Sequence, residues 1–372
     1  MGKKAVFPLL LSVLLLFSIG MLMVFNTTSA EVIDANLGGN TYHAFFKQVS
    51  FALFSALFAV AITVCGWQQV MKYIPLIYFI TLVLLVLVFI PGIGGQVNGA
   101  YRWIRIAGFS FQPSELMKLA MPLYFIELFT AESSFTIKRF YKIAALFSFP
   151  LLLIFLEPDN GTVFIILLAM MALVFLCRVP LRYWLLPLAS ALFIGAVFAW
   201  QMPHVKRRVA VYLHPEKDIY GKGHQPYQAK IATGSGQLYG KGFGKSLQKL
   251  NYLPEARSDY IAAIFAEEFG FLGVLFIILL YVTLAISGFF IALRADCLKS
   301  FLVVSIIIFL ITIQAFLNLG VVSGLLPSKG TNLPFFSQGG SSLWVNTAAL
   351  MLVYSIAKKP KRHRDTQEEG II

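Results

Sequence analysis

AAIFAEEFGFLGVLFIILLYVTLAISGFFIAL, residues 262–293, is apolar over most of its length and interrupted by charge only at Glu267 and Glu268. A membrane-crossing helix needs about 20 mostly apolar residues, so this stretch reads as a span. Runs of the same order recur at 6–26, 45–65, 74–91, 113–131, 141–157, 161–178, 183–200, 300–324 and 340–357. The whole chain agrees: 58% of its 372 residues are hydrophobic and 15% aromatic, and the mean hydropathy is +0.78. Ordinary soluble domains are closer to about 45–50% apolar. The expectation is an all-α polytopic membrane protein of about ten spans, with one domain over 1–357 and a polar cytoplasmic tail over 358–372.

Orientation follows from the basic residues, which concentrate in cytoplasmic loops. Lys72, the group Lys138, Arg139 and Lys142, the pair Arg178 and Arg182, and the pair Arg294 and Lys299 all fall in alternate short loops. The tail adds Lys358, Lys359, Lys361, Arg362 and Arg364. Both termini are therefore expected inside. The first run follows Lys3 and Lys4 and precedes Thr28, Ser29 and Ala30, as a secretory signal would. Its apolar stretch is nearer a full span than the roughly 7–15 residues of a signal core, so it reads as an uncleaved first helix.

Two outer segments break the charge pattern. One is a short loop with Arg102 and Arg105; the other is the long loop over about 201–260, between spans seven and eight, which holds ten Lys or Arg residues. Long translocated loops escape the rule, but a cationic outer face implies that it meets something anionic. Cys65, Cys177 and Cys297 fall within or at the inner ends of spans, and the five histidines are dispersed, so neither disulfides nor a metal centre is expected. The run Gly240-Lys241-Gly242-Phe243-Gly244-Lys245-Ser246 ends like a phosphate-binding loop, yet Tyr239 stands where that motif requires glycine, which excludes nucleotide binding. These glycines either fold backbone tightly over the membrane surface or present amide groups to an anion.

Charges within spans are costly and mark functional candidates. Span four opens Gln112-Pro113-Ser114-Glu115-Leu116-Met117-Lys118, with Glu115 and Lys118 three residues apart on one helical face. They should face each other or a polar cavity. Glu127, near the inner end, reads as ordinary. In the outer turn 157–162, Asp159 suits either a helix cap or an outer cavity shared with Arg102 and Lys118. The long loop ends Leu253-Pro254-Glu255-Ala256-Arg257-Ser258-Asp259-Tyr260. An acid at the membrane boundary beside basic residues can act as a general base, and Asp259 is that candidate; Ser258 or Asp259 could equally cap span eight.

NGAYRWIRIAGFSFQPSELMKL, EPDNGT, GSGQLYGKGFGKSLQKLNYLPEARSDYIAAIFAEEFGFLG and NLGVVSGLLPSKGTNLPFFSQGGSS, in this order, resemble the SEDS family of shape, elongation, division and sporulation proteins. The likeness spans nearly the whole chain. In PSKGTNLPFFSQGGSS it is nearer the family's division branch than its elongation branch. The resemblance implies a glycosyltransferase that polymerises lipid II into glycan strands on the outer face of the bacterial cytoplasmic membrane, releasing undecaprenyl diphosphate. It implies Asp259 as the catalytic aspartate and Arg102 with Trp103 as the family's Arg–Trp pair. It places Glu115, Lys118 and Asp159 on the lining of a central cavity. Glu255, Arg257 and Lys329, in the same motifs, complete the substrate-binding candidates. A class B penicillin-binding protein is the implied partner, alongside other division proteins and membrane lipids, with no nucleic acid. No cofactor is expected, and a divalent cation is left open.

Two positions depart from the family pattern: Gln338 stands where tyrosine is usual, and Tyr101 replaces a more usual basic residue. Neither removes a proposed catalytic group. A lipid II flippase would use the same cavity without needing Asp259 as a base, whereas a division scaffold would need none of these polar residues.

Overall fold

The computed structural model describes residues 2–34, 42–97, 100–106, 109–131, 136–184, 211–218, 221, 223–250, 253–328 and 330–358. Its long helices are α1 (Gly2–Asp34), α2 (His43–Cys65), α3 (Trp67–Leu87), α4 (Pro113–Thr130), α5 (Ile137–Leu156) and α6 (Asn160–Leu176). Later in the chain come the short α7 (His224–Ser235) and then α8 (Ile261–Ala292), α9 (Leu298–Val322) and α10 (Gly340–Lys358). Nine of the ten expected runs coincide with these helices; the run 183–200 lies almost wholly outside the described residues, as do 201–210 of the long loop and the tail beyond 358. Seven helices are long and apolar enough to cross a membrane. The other two are readily understood: α6 has 17 residues, and α4 carries Glu115, Lys118 and Glu127.

Local chemistry places the helix ends. Gly66, at φ 81°, is the lone residue between α2 and α3 and supplies the left-handed backbone that turns the chain around. Extended Gln112 precedes Pro113 at the first position of α4, where a missing N–H is harmless. Outward-facing Leu53, Leu57, Val60 and Val64 of α2 form a helical stripe of exposed apolar residues, as expected of a surface that meets lipid.

Contacts sort the turns into two ends. At the end assigned inside by charge, the Trp67 amide donates to Ser355 Oγ of α10, and Lys299 Nζ pairs with Glu127 Oε2 at 2.5 Å. Glu127 is thus a peripheral clasp between α4 and α9, matching its unremarkable reading. The other end gathers Arg102 with the 157–158 turn, Gln112 with Ser341, and Arg257 with Gln338.

The outer segment after α3 corrects the all-α expectation. It forms a three-stranded antiparallel sheet of β1 (Gly94–Val97), β2 (Ala100–Ile106) and β3 (Phe109–Phe111), in the order β1-β2-β3. Backbone N–H and C=O groups outside a helix still need partners, and here they find them in the β1–β2 and β2–β3 pairings. The sheet matters because β2 carries Arg102.

Candidate active site

The site grows from the N-terminus of α6. Asp159 Oδ1 accepts from the Thr162 amide at 3.3 Å, so the residue does cap α6. Its other oxygen, Oδ2, accepts from Gln112 Nε2 and Ser114 Oγ, both at 3.0 Å. The two readings of Asp159 are therefore compatible: it is a cap and a buried member of a polar cluster with α4. Arg102 reaches the same turn, donating from Nε to the Glu157 carbonyl at 2.9 Å and from a terminal nitrogen to the Pro158 carbonyl at 2.6 Å. Trp103, next in β2, lies opposite Gly95. The register shifts between Gly95 and Gln96, leaving Arg102 as the extra residue between Tyr101 and Trp103, a bulge of the kind that re-aims a side chain.

Glu157 was not singled out by its sequence. Its residue is 1% exposed, and neither carboxylate oxygen has a hydrogen-bond partner. Burial and the neighbouring Asp159 charge push its acidity to about 8, against an opposing pull from Arg102.

One turn into α4, Lys118 Nζ pairs with Glu115 Oε2 at 2.8 Å and donates to Gln314 Oε1 of α9 at 2.7 Å. Lys118 is 2% exposed, so the pair does face inward, as the cost of charge in lipid requires. An ammonium has three donors; two are used by these partners.

Asp259 stands two residues before α8. The helix N-cap is Tyr260, with no side-chain cap bond, so neither Ser258 nor Asp259 plays the capping role. The turn is instead sewn to the 328–338 segment. Asn318 Nδ2 donates to the Asp259 carbonyl at 2.8 Å, the Gln338 amide donates to the Arg257 carbonyl at 3.0 Å, and Tyr260 and Ser328 share a hydroxyl bond of 2.8 Å. Because Gln338 contributes its backbone N–H, the unusual side chain there does not disturb this link. The carboxylate faces Gly330, where an added Cβ would lie 2.9 Å from Oδ2. Burial, then the charges of Glu255 and Asp159, push Asp259 up to about 7; Arg102 opposes them and Glu115 adds a smaller push. This electrostatic neighbourhood joins Asp259, Asp159, Arg102 and Glu115, four of the residues expected from sequence.

Glu255 and Arg257 line a cleft of about 280 Å³ together with Thr27 of α1 and Lys249, and Asp259 is not among its lining residues. Ser258 Oγ donates to Glu255 Oε2 at 2.8 Å. Lys329 lies outside the described residues.

A second acidic pair sits further along α8 and is wholly enclosed. Glu267 accepts from Lys241 Nζ at 2.6 Å, from Ser246 Oγ at 2.5 Å and from the amides of Leu247 and Gln248 at 3.3 Å each. Glu268 accepts from Asn26 Nδ2 at 2.6 Å and Lys249 Nζ at 2.9 Å. Backbone joins in: Gly270 breaks the helix at φ 65°, ψ −165°, and the Phe271 amide donates to the Gln237 carbonyl at 2.8 Å. In return the Lys241 and Gly242 amides donate to the carbonyls of Glu267 and Glu268, at 3.0 and 2.9 Å. The loop glycines thus serve close backbone packing, and the anion met by its amides is internal, the Glu267 carboxylate. Among the described residues no three His, Cys, Asp or Glu side chains are grouped as a metal ion would require.

Residues 7–362 match the family of cell cycle proteins that groups FtsW, RodA and SpoVE. The chain belongs to the FtsW/RodA/SpoVE family. A Saccharophagus degradans relative, named probable peptidoglycan glycosyltransferase FtsW, is 34% identical over 98% of this chain and 95% of its own length. A Thioalkalivibrio protein of the same name is 36% identical over 96% and 92%. Among solved structures, a chain of a peptidoglycan synthase complex that coordinates polymerization and crosslinking aligns with a TM-score of 0.76 at 26% identity, covering 96% of this chain and 98% of that one. The Thermus thermophilus rod shape determining protein RodA aligns at 0.69 and 25% identity, covering 96% and 97%. The FtsW/RodA/SpoVE match runs through every segment that builds the site, from β2 to the turn before α10.

Proposed function

We propose that this chain is a division-type peptidoglycan glycosyltransferase of the bacterial cytoplasmic membrane that polymerises lipid II. Asp259 is its general base, taking the proton from the acceptor sugar hydroxyl as that oxygen attacks the anomeric carbon of the donor. The bond from this carbon to the diphosphate breaks, and undecaprenyl diphosphate leaves with the electron pair. Arg102 and Lys118 bind the diphosphate and stabilise the charge developing on it; for Arg102 this means exchanging carbonyl partners for phosphate oxygens, which its planar fork suits. Asp159 and Glu115 hold the cavity wall, while Glu255 and Arg257 meet substrate from the loop side.

The observation carrying this reading is the place of Asp259, in the turn before α8 with its carboxylate against Gly330 and its acidity raised by burial and by the Glu255 and Asp159 charges. A carboxyl raised to about 7 is half-ionised near neutral pH, where a general base works best. Relatives named FtsW support the division assignment over elongation. The aligned synthase complex supports a class B penicillin-binding protein as partner.

The test is polymerisation of labelled lipid II by the protein purified with that partner, comparing wild type with Asp259→Asn at matched complex yield. Loss of a general base costs about 10²–10⁴-fold in rate; an unchanged rate overturns the assignment. The buried Glu115, Lys118 and Gln314 set also suits a flippase. That reading requires translocation of labelled lipid II into vesicles to persist undiminished in Asp259→Asn and to fail in Lys118→Met.

A further inference from the structure

We propose that Asn318 is a positioning residue for Asp259, fixing the distance between the acid-bearing turn and the 330–332 segment with its two amide protons. This rests on the reading of Asp259 as general base. Asn318 is 1% exposed within α9. Its Nδ2 donates to the Asp259 carbonyl at 2.8 Å and to the Thr331 carbonyl at 2.6 Å. One nitrogen thus ties together two chain segments that are far apart in sequence. A neutral side chain with two N–H groups on one atom meets that need, and Asn and Gln alone provide it; Asn is the shorter.

The tie matters because, of the bonds that hold this turn among the described residues, it is the one made to Asp259 itself. It caps nothing, since α8 begins without a side-chain cap bond, so its carboxylate stands wherever the backbone of its turn holds it. On the far side is Gly330, adjacent to Thr331, where an added Cβ would lie 2.9 Å from Oδ2. A shift of either segment therefore changes the carboxylate's place and its surroundings together. Gln314, one helical turn earlier on the same face, repeats the arrangement for the cation: its Nε2 donates to the Asn332 carbonyl at 2.9 Å, and its Oε1 accepts from Lys118 at 2.7 Å. The base and the cation are referenced to neighbouring residues of one segment through neighbouring turns of one helix.

The experiment uses the full chain with its penicillin-binding partner and compares wild type, Asn318→Ala, Asn318→Asp, Asp259→Asn and the double variant Asn318→Ala/Asp259→Asn in lipid II polymerisation. Asn318→Asp keeps size and shape while replacing the bridging donors, so it covers the case in which the alanine variant fails to fold. The expected result is a kcat lowered on the order of 10- to 100-fold, the scale of a small misplacement of a reacting group. KM for lipid II stays near wild type, the acid limb of the pH profile shifts, and the double variant falls no lower than Asp259→Asn. A wild-type kcat in a folded Asn318 variant, with Asp259→Asn inactive, overturns the positioning role and leaves the base assignment standing. Multiplying losses in the double variant also overturn it, because Asn318 would then act independently of Asp259. Full activity in Asp259→Asn removes the base reading and this proposal with it.

Discussion

Asp259 and the pair Glu267 and Glu268 lie eight residues apart on one stretch of chain, yet they are treated oppositely. Glu267 and Glu268 are sealed from solvent and surrounded by donors: two lysines, Ser246, Asn26 and loop amides. Asp259 meets Glu255, Asp159 and Glu115 as like charges, with Arg102 as the opposing one. Nearby Glu157 is buried with no hydrogen-bond partner on its carboxylate. Burial alone does not tell a structural acid from a reactive one. Partners do: a satisfied carboxylate fastens a loop, and an under-satisfied one holds its proton near neutrality.

The strongest way to break the contrast is to remove the satisfied acid. Glu268→Ala strands the Lys249 ammonium beside Asn26, and breaking a buried pair costs about 3–5 kcal/mol. A fall in the thermal midpoint of the detergent-solubilised protein checks it; Asp259→Asn should show no such fall. Gly240→Ala attacks the same anchor through backbone. Its Cβ would sit 2.2 Å from the Glu268 carbonyl oxygen at φ 80°, and the strained conformation alone costs about 1–3 kcal/mol.

Glu157 sharpens the comparison from the other side. Its folded acidity, near 8, is above the ordinary 4.5. Between those values the folded chain keeps a proton that the unfolded chain has released, so stability falls as pH rises through that window and then levels. Glu157→Gln removes this slope. The variant should be level with wild type at pH 4 and more stable at pH 8 by at most about 4 kcal/mol, measured by thermal unfolding at both values.

Asp259 should set the acid limb of the rate profile. With its carboxyl near 7, kcat/KM should drop about tenfold for each pH unit below that value, and a flat profile from pH 5 to 8 would contradict it. The smallest effect is expected from Gly330→Ala. Its Cβ presses on a movable carboxylate oxygen at 2.9 Å, so the rate should fall about tenfold or less in a protein with an unchanged thermal midpoint.

The spans were readable because lipid imposes a single demand, a long apolar run, and nine of the ten runs read that way coincide with described helices. The sheet was harder to see: β1 is Gly94-Gly95-Gln96-Val97, which has no strand-like alternation. A usable signal was nonetheless present, since Asn98-Gly99 separates the paired residues Val97 and Ala100 and that dipeptide is a strong hairpin marker. Asp259, Arg102, Lys118 and Asp159 could be nominated as charges in costly places. Gln112, Ser114, Gln314 and Asn318 could not, because uncharged polar residues are common enough in helices to pass unnoticed. Their roles come from pairing across separations such as Asn318 with Asp259, which no local pattern encodes. Gln314 and Asn318 did leave a trace, two amides four apart on a mostly apolar helix.

The crossed backbone bonds around Gly270 have a bearing on how this loop can vary in length. The carbonyls of Gln237 and Leu238 receive the amides of Phe271 and Leu272, while the amides of Lys241 and Gly242 return to Glu267 and Glu268. Both sides of the exchange are counted residue by residue, so one insertion or deletion between 237 and 242 would slip every bond out of step. Tags, linkers and natural length differences should therefore be accommodated nearer the 3₁₀ turn at Pro215–Asp218, which takes no part in that exchange.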